Sequence, residues 1–243
     1  MLNTLSPLDI ASALTIMTVA ATVQCSLGFG AALIALPVLG LISPVFAPSP
    51  LIMTAIVMGL LILLRDHSAL GVREMLYAWP GQLGGIVVAL LFFQWFSSDY
   101  TDALLGTALL VAVGLSSQGF HVAITRKSLL ATGVVSGFMG TISGLGGAPM
   151  GILYQKESGP HVRTTMACLL LSGSISITAA LWWSGRIQRE EWEATLLLLP
   201  ASLLGFVLSW PLARFLDSGY TRRAILLFAG LGGIVLLGRG FWS

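Results

Sequence analysis

The chain has 243 residues, of which 56% are hydrophobic and 9% charged, with a mean hydropathy of +0.92. A soluble domain carries about 25% charged residues, so this composition excludes soluble enzymes and disordered chains, and a net charge of only +2 speaks against a nucleic-acid binder. The apolar stretches are continuous over about 20 residues rather than alternating, which points to an all-α polytopic membrane protein and away from a membrane β-barrel.

In chain order, polar breaks divide the sequence into eight apolar elements, near 8–27, 31–44, 50–64, 77–96, 103–122, 128–153, 164–184 and 192–238. The last range holds two helices split at Asp217–Ser218–Gly219. Tyr77, Trp79, Trp95, Tyr100, Trp182, Trp183, Trp192 and Trp242 mark segment boundaries, the depth that interfacial rings prefer. The first basic residue is Arg65, so no charged n-region precedes the first apolar stretch and no secretory signal peptide is expected. Cys25 and Cys168 lie in apolar segments and read as small apolar residues rather than a disulfide. His67, His121 and His161 have no metal-ligand spacing, so neither a metal nor a cofactor is expected.

The two halves resemble each other. Ser98–Asp99–Tyr100–Thr101 recurs as Ser218–Gly219–Tyr220–Thr221, and Pro80 and Gly85 recur as Pro200 and Gly205, all shifted by 120. Gly28–Phe29–Gly30–Ala31–Ala32 recurs as Gly144–Leu145–Gly146–Gly147–Ala148, shifted by 116. The order of the matches predicts a first membrane repeat over 1–122 and a second over 123–243, together forming a single integral membrane domain. Charge decides their relative orientation. If every element crossed fully, the repeats would be parallel and the basic residues would divide seven to five across the membrane. If the Gly-rich element opening each repeat is a re-entrant hairpin, followed by three full transmembrane helices, the repeats are inverted. One side then collects Arg65, Arg73, Arg126, Lys127, Lys156, Arg163, Arg214, Arg222 and Arg223, and the other keeps Arg186, Arg189 and Arg239. The second division fits the positive-inside rule and predicts both termini outside.

The Gly-rich breaks carry the chemistry. The first reads Gln24–Cys25–Ser26–Leu27–Gly28–Phe29–Gly30, and the second Thr141–Ile142–Ser143–Gly144–Leu145–Gly146–Gly147–Ala148–Pro149. Glycine permits the backbone turn, and Pro149 suits the first turn of a restarting helix. Non-helical backbone at membrane depth is tolerated only inside protein or along a wet cavity. A helix restarting there points its free N–H groups, with about half an elementary charge, at that cavity. Two such ends from inverted repeats would make an anion site at the midplane. The hydroxyls of Ser26, Thr141 and Ser143 and the amide of Gln24 could add donors around Gly28, Gly30, Gly144, Gly146 and Gly147. Small residues also recur where membrane helices simply pack closely. Gln82 could face the same cavity or bond a neighbouring helix. Arg163 reads as a positive-inside anchor or as an anion-attracting charge at the inner mouth. The Ser172, Ser174, Ser176 and Thr178 series reads as hydroxyls bonded to their own helix. No Asp, Glu or His sits mid-segment, so proton coupling is unsupported.

These residues resemble the TauE/SafE family of sulfite exporters and organosulfur-anion transporters over nearly the whole chain. The resemblance rests on the two Gly-rich segments, Gly28–Phe29–Gly30 with Pro37 and Gly144–Leu145–Gly146–Gly147 with Pro149, and on Arg163–Thr164–Thr165 opening the next helix. Ala31 and Ala32 replace part of the first glycine cluster. The resemblance implies a non-enzymatic transporter of a bacterial inner membrane. Its cargo would be a small anion, sulfite or an organosulfonate, exported by alternating access, and its lining would include Arg163. A passive anion channel of the same architecture is the alternative. The bilayer is the expected surrounding. The last segment, with Gly230, Gly232, Gly233 and Gly238, could pack within the chain or in a homo-oligomer.

Overall fold

A computed structural model describes residues 5–46, 48–66, 71–95, 122–157 and 159–215, with isolated positions at 110, 223, 227, 230, 231, 234 and 238. Among the described residues the chain is helical, without strands. The helices are α1 (Pro7–Leu27), α2 (Ala31–Ile42), α3 (Ser49–Asp66), α4 (Val72–Trp95), α5 (Arg126–Ser143), α6 (Gly147–Leu153), α7 (Pro160–Trp183) and α8 (Arg189–Phe215), with a 3-10 turn at Pro44–Phe46. The elements expected near 103–122 and after Asp217 lie, those isolated positions apart, outside the described residues. Among the described residues, five stretches are long and apolar enough to span a bilayer: Pro7–Leu27, Pro44–Asp66, Arg73–Phe92, Pro160–Trp183 and Arg189–Ala213. This chain is an integral membrane protein.

Local chemistry sets the helix ends. Ser6 caps α1: its hydroxyl accepts the Asp9 N–H at 3.2 Å, while Asp9 Oδ2 accepts the Ser6 N–H at 2.9 Å. Thr125 and Ser128 cap α5 in the same reciprocal way. Both helices end on a left-handed glycine, Gly28 with φ 89° and Gly144 with φ 75°. The cap N–H groups reach back four residues, to Gln24 O at 2.7 Å and Gly140 O at 3.0 Å. The two ends share this geometry at the 116-residue spacing of the sequence match.

Packing joins helices on opposite sides of residue 122. α4 lies along α5, α1 along α8, and α3 along α7, with α3 also touching α8 and α4 touching α7. This pattern is unchanged when α1 is exchanged with α5, α3 with α7 and α4 with α8. Close approaches fix the directions. Gly81 faces Leu130 and Gly85 faces Val134, so α4 and α5 are parallel; Gly205 meets Ala21 and Ser209 meets Ser26, so α1 and α8 are parallel. Asp66 meets Arg163 and Gly59 meets Ala167 and Leu171, while Ile52 and Met53 cluster with Ile177 and Leu181, so α3 and α7 are antiparallel.

The polarity of the bundle suits lipid. Leu83, Val87, Val88 and Leu91 of α4 and Leu203, Leu204, Val207 and Leu208 of α8 face outward, whereas Gln82, Ser136, Thr141, Ser174, Ser202 and Ser209 are buried. With no water outside, contact between helices depends on close fit rather than on hiding apolar surface. Glycine supplies the fit at both parallel pairs. A Cβ on Gly85 would run into the Val134 carbonyl, and one on Gly205 would meet Ala21 Cβ at 2.5 Å. Replacing Gly85 with Ala should therefore lower stability by about 1–3 kcal/mol. At Gly84 a Cβ meets nothing nearer than Val134 Cγ2 at 4.0 Å, so Gly84→Ala should leave thermal unfolding in detergent unchanged or raised. Equal losses from both variants would contradict this account of the α4–α5 contact.

Candidate functional site

The two glycine breaks line one cavity. Phe29, Gly30, Ala32 and Leu33 come from the first break and α2; Gly144, Leu145, Gly146, Gly147 and Ala148 come from the second break and α6. Between them stand Leu51, Ile52 and Ala55 of α3, Gln82 of α4, Ser136, Gly137 and Gly140 of α5, and Leu170, Gly173, Ser174 and Ile177 of α7. Gln24 completes the wall. The non-protein space, mouth included, is about 590 Å³. Phe29 is the direct contact between the breaks: a Cβ on Gly147 would lie 3.0 Å from Phe29 Cβ, and one on Gly151 2.6 Å from Phe29 Cζ.

Each break is closed by one side chain. Gln24 Oε1 accepts the Ala31 N–H at 3.1 Å, so the first donor of α2 is already engaged inside the protein. Ser136 Oγ donates to the Gly146 carbonyl at 2.6 Å. Gln82 Nε2 donates to the Leu169 carbonyl at 3.2 Å and approaches Ser136 Oγ at 3.4 Å. The polar wall is thus a small set, Gln24, Gln82, Ser136 and Ser174, of which Gln82 and Ser136 touch, in otherwise apolar and glycine surroundings.

Of the residues singled out in sequence, Gln24, Gly30, Gln82, Gly144, Gly146 and Gly147 line this cavity, as does Ser174, which was expected to bond its own helix. The others stand elsewhere. Gly28 packs against the start of α7, where a Cβ would meet the Arg163 carbonyl at 2.5 Å. Ser26 Oγ donates to Thr22 O at 2.6 Å and reaches Ser209 O at 3.2 Å, on the α1–α8 contact. Thr141 and Ser143 bond back to Gly137 O at 2.7 Å and Met139 O at 2.8 Å. Such back-bonding satisfies a hydroxyl inside its own helix. Gln82 and Ser136 are the lining groups that adjacency to the breaks did not single out. Ser136 did carry a signal, because Ser136, Gly140 and Gly144 recur at four-residue spacing and share a helix face.

Arg163 belongs to a second, charged cluster. It is 6% exposed, and its Nε donates to Asp66 Oδ2 at 2.8 Å. The same oxygen accepts from Arg65 Nε at 3.0 Å. Arg65 also donates to Ser209 Oγ at 2.8 Å and to the Cys25 carbonyl at 2.6 Å, one of the acceptors that the end of α1 leaves without a helical partner. Its guanidinium lies 5.3 Å from the centre of the Phe206 ring. The cluster ties the ends of α1 and α3, the start of α7 and the body of α8. Asp66 lies about 16 Å along α3 from the cavity residue Ala55, at the rise of an α-helix.

Asp66→Asn removes the charge that two guanidiniums face. It should destabilise the protein by about 2–4 kcal/mol, as loss of one partner does in partly buried ion pairs. Arg189, whose pair with Glu193 is exposed, gives the contrast: Arg189→Ala should leave the unfolding temperature unchanged. An Asp66→Asn protein as stable as the parent would show that the cluster holds nothing together.

The match to known proteins agrees with this architecture. The model of the family described as sulfite exporter TauE/SafE matches residues 13–236, a stretch that contains both breaks and every helix contact described above. No curated protein and no solved structure matches the chain. The chain belongs to the TauE/SafE sulfite exporter family, a family of membrane transporters.

Proposed function

We propose that the protein exports a small sulfur-containing anion, sulfite or an organosulfonate, through the cavity between the two glycine breaks. The observation that carries this reading is the meeting of both breaks in one cavity whose wall holds four polar side chains inside an apolar bundle. The Ser174 hydroxyl and backbone N–H groups at the breaks other than the engaged Ala31 N–H would stand in for part of the anion's water shell. α6 has seven residues and a correspondingly small dipole, so side-chain donors carry more of the work than helix ends do.

The same reading takes the two halves as inverted repeats. The antiparallel crossing of α3 and α7 supports it, as does the exchange pattern of the helix contacts. Charge placement adds weight. Arg65 and Arg163 meet through Asp66; Glu74 at the start of α4 lies 3.8 Å from His161 at the start of α7; and Arg126 at the start of α5 lies 5.2 Å from the Tyr77 ring. These contacts gather Arg65, Arg73, Arg126 and Arg163 at one pole. Arg186 and Arg189 follow the far end of α7, beside the exposed Trp182, Trp183 and Trp192. By the positive-inside rule the first pole is cytoplasmic. α1 runs toward that pole, and in this reading its start faces the outside.

Alternating access then has a physical basis in the α3–α7 pair. One end is held by the Asp66 ion pairs, the other by the apolar contacts of Ile52, Met53, Ile177 and Leu181. Opening one end while the other stays closed exposes the cavity to one side at a time. Ser174→Leu fills the cavity from α7. It should cut sulfite efflux from proteoliposomes by at least about tenfold while membrane insertion and thermal unfolding stay near the parent values. Saturable efflux with counterflow in the parent protein is the expected carrier behaviour. Undiminished efflux in a folded Ser174→Leu variant would remove the cavity from the route.

A further inference from the structure

We propose that the anion bound in this cavity carries a hydrogen-bond donor of its own, and that Gln82 Oε1 receives it. The inference rests on the transport reading and names the substrate class more closely. Hydrogen sulfite or a hydroxyl- or ammonium-bearing sulfonate fits; a sulfonate with a purely aliphatic tail does not.

Gln82 sits in the middle of α4, 2% exposed, in the cavity wall. Its amide is held in one orientation. Nε2 faces two acceptors, the Leu169 carbonyl at 3.2 Å and Ser136 Oγ at 3.4 Å. Ser136 is an acceptor here because its own hydrogen goes to the Gly146 carbonyl at 2.6 Å. Turning the amide over would set its oxygen against a carbonyl oxygen. Oε1 is therefore fixed on the other side, buried, and without a hydrogen-bond partner among the described residues. A buried acceptor left unpaired is costly, and native structures pair nearly all of them.

Gly173 clears the space around this side chain, and Gly137 the space at its backbone. A Cβ on Gly173 would lie 3.2 Å from Gln82 Nε2 and 3.4 Å from Oε1, and a Cβ on Gly137 would run into the Gln82 backbone. The amide is thus seated by close glycine contacts yet leaves its oxygen unused. A fully deprotonated oxyanion would meet Oε1 with lone pairs on both sides. An O–H or N–H group would complete it. The remaining lining donors, Ser174 and the backbone at the breaks, are left for the anionic end, so a bound ligand would lie with its sulfur oxygens toward the breaks and its donor toward α4.

The test compares ligands of like size and charge that differ by one donor. Purified full-length protein is titrated with ethanesulfonate, 2-hydroxyethanesulfonate and sulfite, and apparent affinity is read from the rise in unfolding temperature. The parent protein should bind 2-hydroxyethanesulfonate about tenfold tighter than ethanesulfonate, the scale of one well-placed hydrogen bond. Gln82→Met, which keeps length and removes the acceptor, should erase the preference by weakening only the hydroxy compound. Equal affinity for the two sulfonates in the parent protein overturns the inference whatever the variant does, and assigns Oε1 to a bound water. A preference that survives in Gln82→Met overturns it as well. If neither sulfonate nor sulfite stabilises the parent protein, the transport reading itself falls, and this inference with it.

Discussion

A helix that stops inside an apolar bundle must have its loose backbone groups satisfied by protein, because lipid offers none. That constraint organises the structure. Gly28 and Gly144 turn the chain and return their N–H groups to the helices they end. Gln24 then takes the first N–H of α2, and Ser136 takes the Gly146 carbonyl. Gln82 bridges from Ser136 to α7. The cavity is what remains between these satisfied breaks, and Gln24 and Ser136, which satisfy them, form part of its polar lining. Among the described residues, Gln82 Oε1 in the cavity wall is left without a partner, and the proposed ligand donor would complete it.

The second organising feature is the close, glycine-mediated fit between halves. α4 seats on α5 through Gly81, Gly85, Gly133 and Gly137, and α8 seats on α1 through Gly205. These contacts make two rigid parallel pairs. The antiparallel α3 and α7 cross between them, with a charged end at Asp66 and an apolar end at Ile52 and Met53. In the proposed alternating-access reading, motion about this crossing would break one set of contacts at a time. The Asp66 cluster is thus a structural clamp near the basic pole rather than part of the cavity wall, and Arg163 acts there.

Much of this was legible in the sequence, for local reasons. The breaks at Gly28 and Gly144 announce themselves because glycine is the residue that takes a left-handed turn without strain. The helix from Pro7 begins where Ser6, Pro7 and Asp9 form a capping pattern. Gly85 and Gly205, matched in sequence across a 120-residue shift, both stand at close helix contacts, against α5 and α1 respectively. What sequence could not give was which face each polar residue takes once helices pack. Ser26, Thr141 and Ser143 stand next to the breaks in sequence, yet their hydroxyls turn back to their own helices. Gln82 was legible as a group with two options and takes both, a cavity wall and a bond to α7. The Asp66–Arg163 pair spans 97 residues and exists only because α3 and α7 cross antiparallel, so no local pattern could announce it.

The central claim is that the anion sits between the two breaks. Crystals of the full chain grown with selenite, an anomalously scattering analogue of sulfite, would locate it directly. The account predicts an anomalous peak inside the cavity, between Gly30 and Gly146 and beside Gln82. A peak at Arg65 and Arg163 instead, or a cavity that stays empty of selenium while the protein is stabilised by the ion, would contradict it.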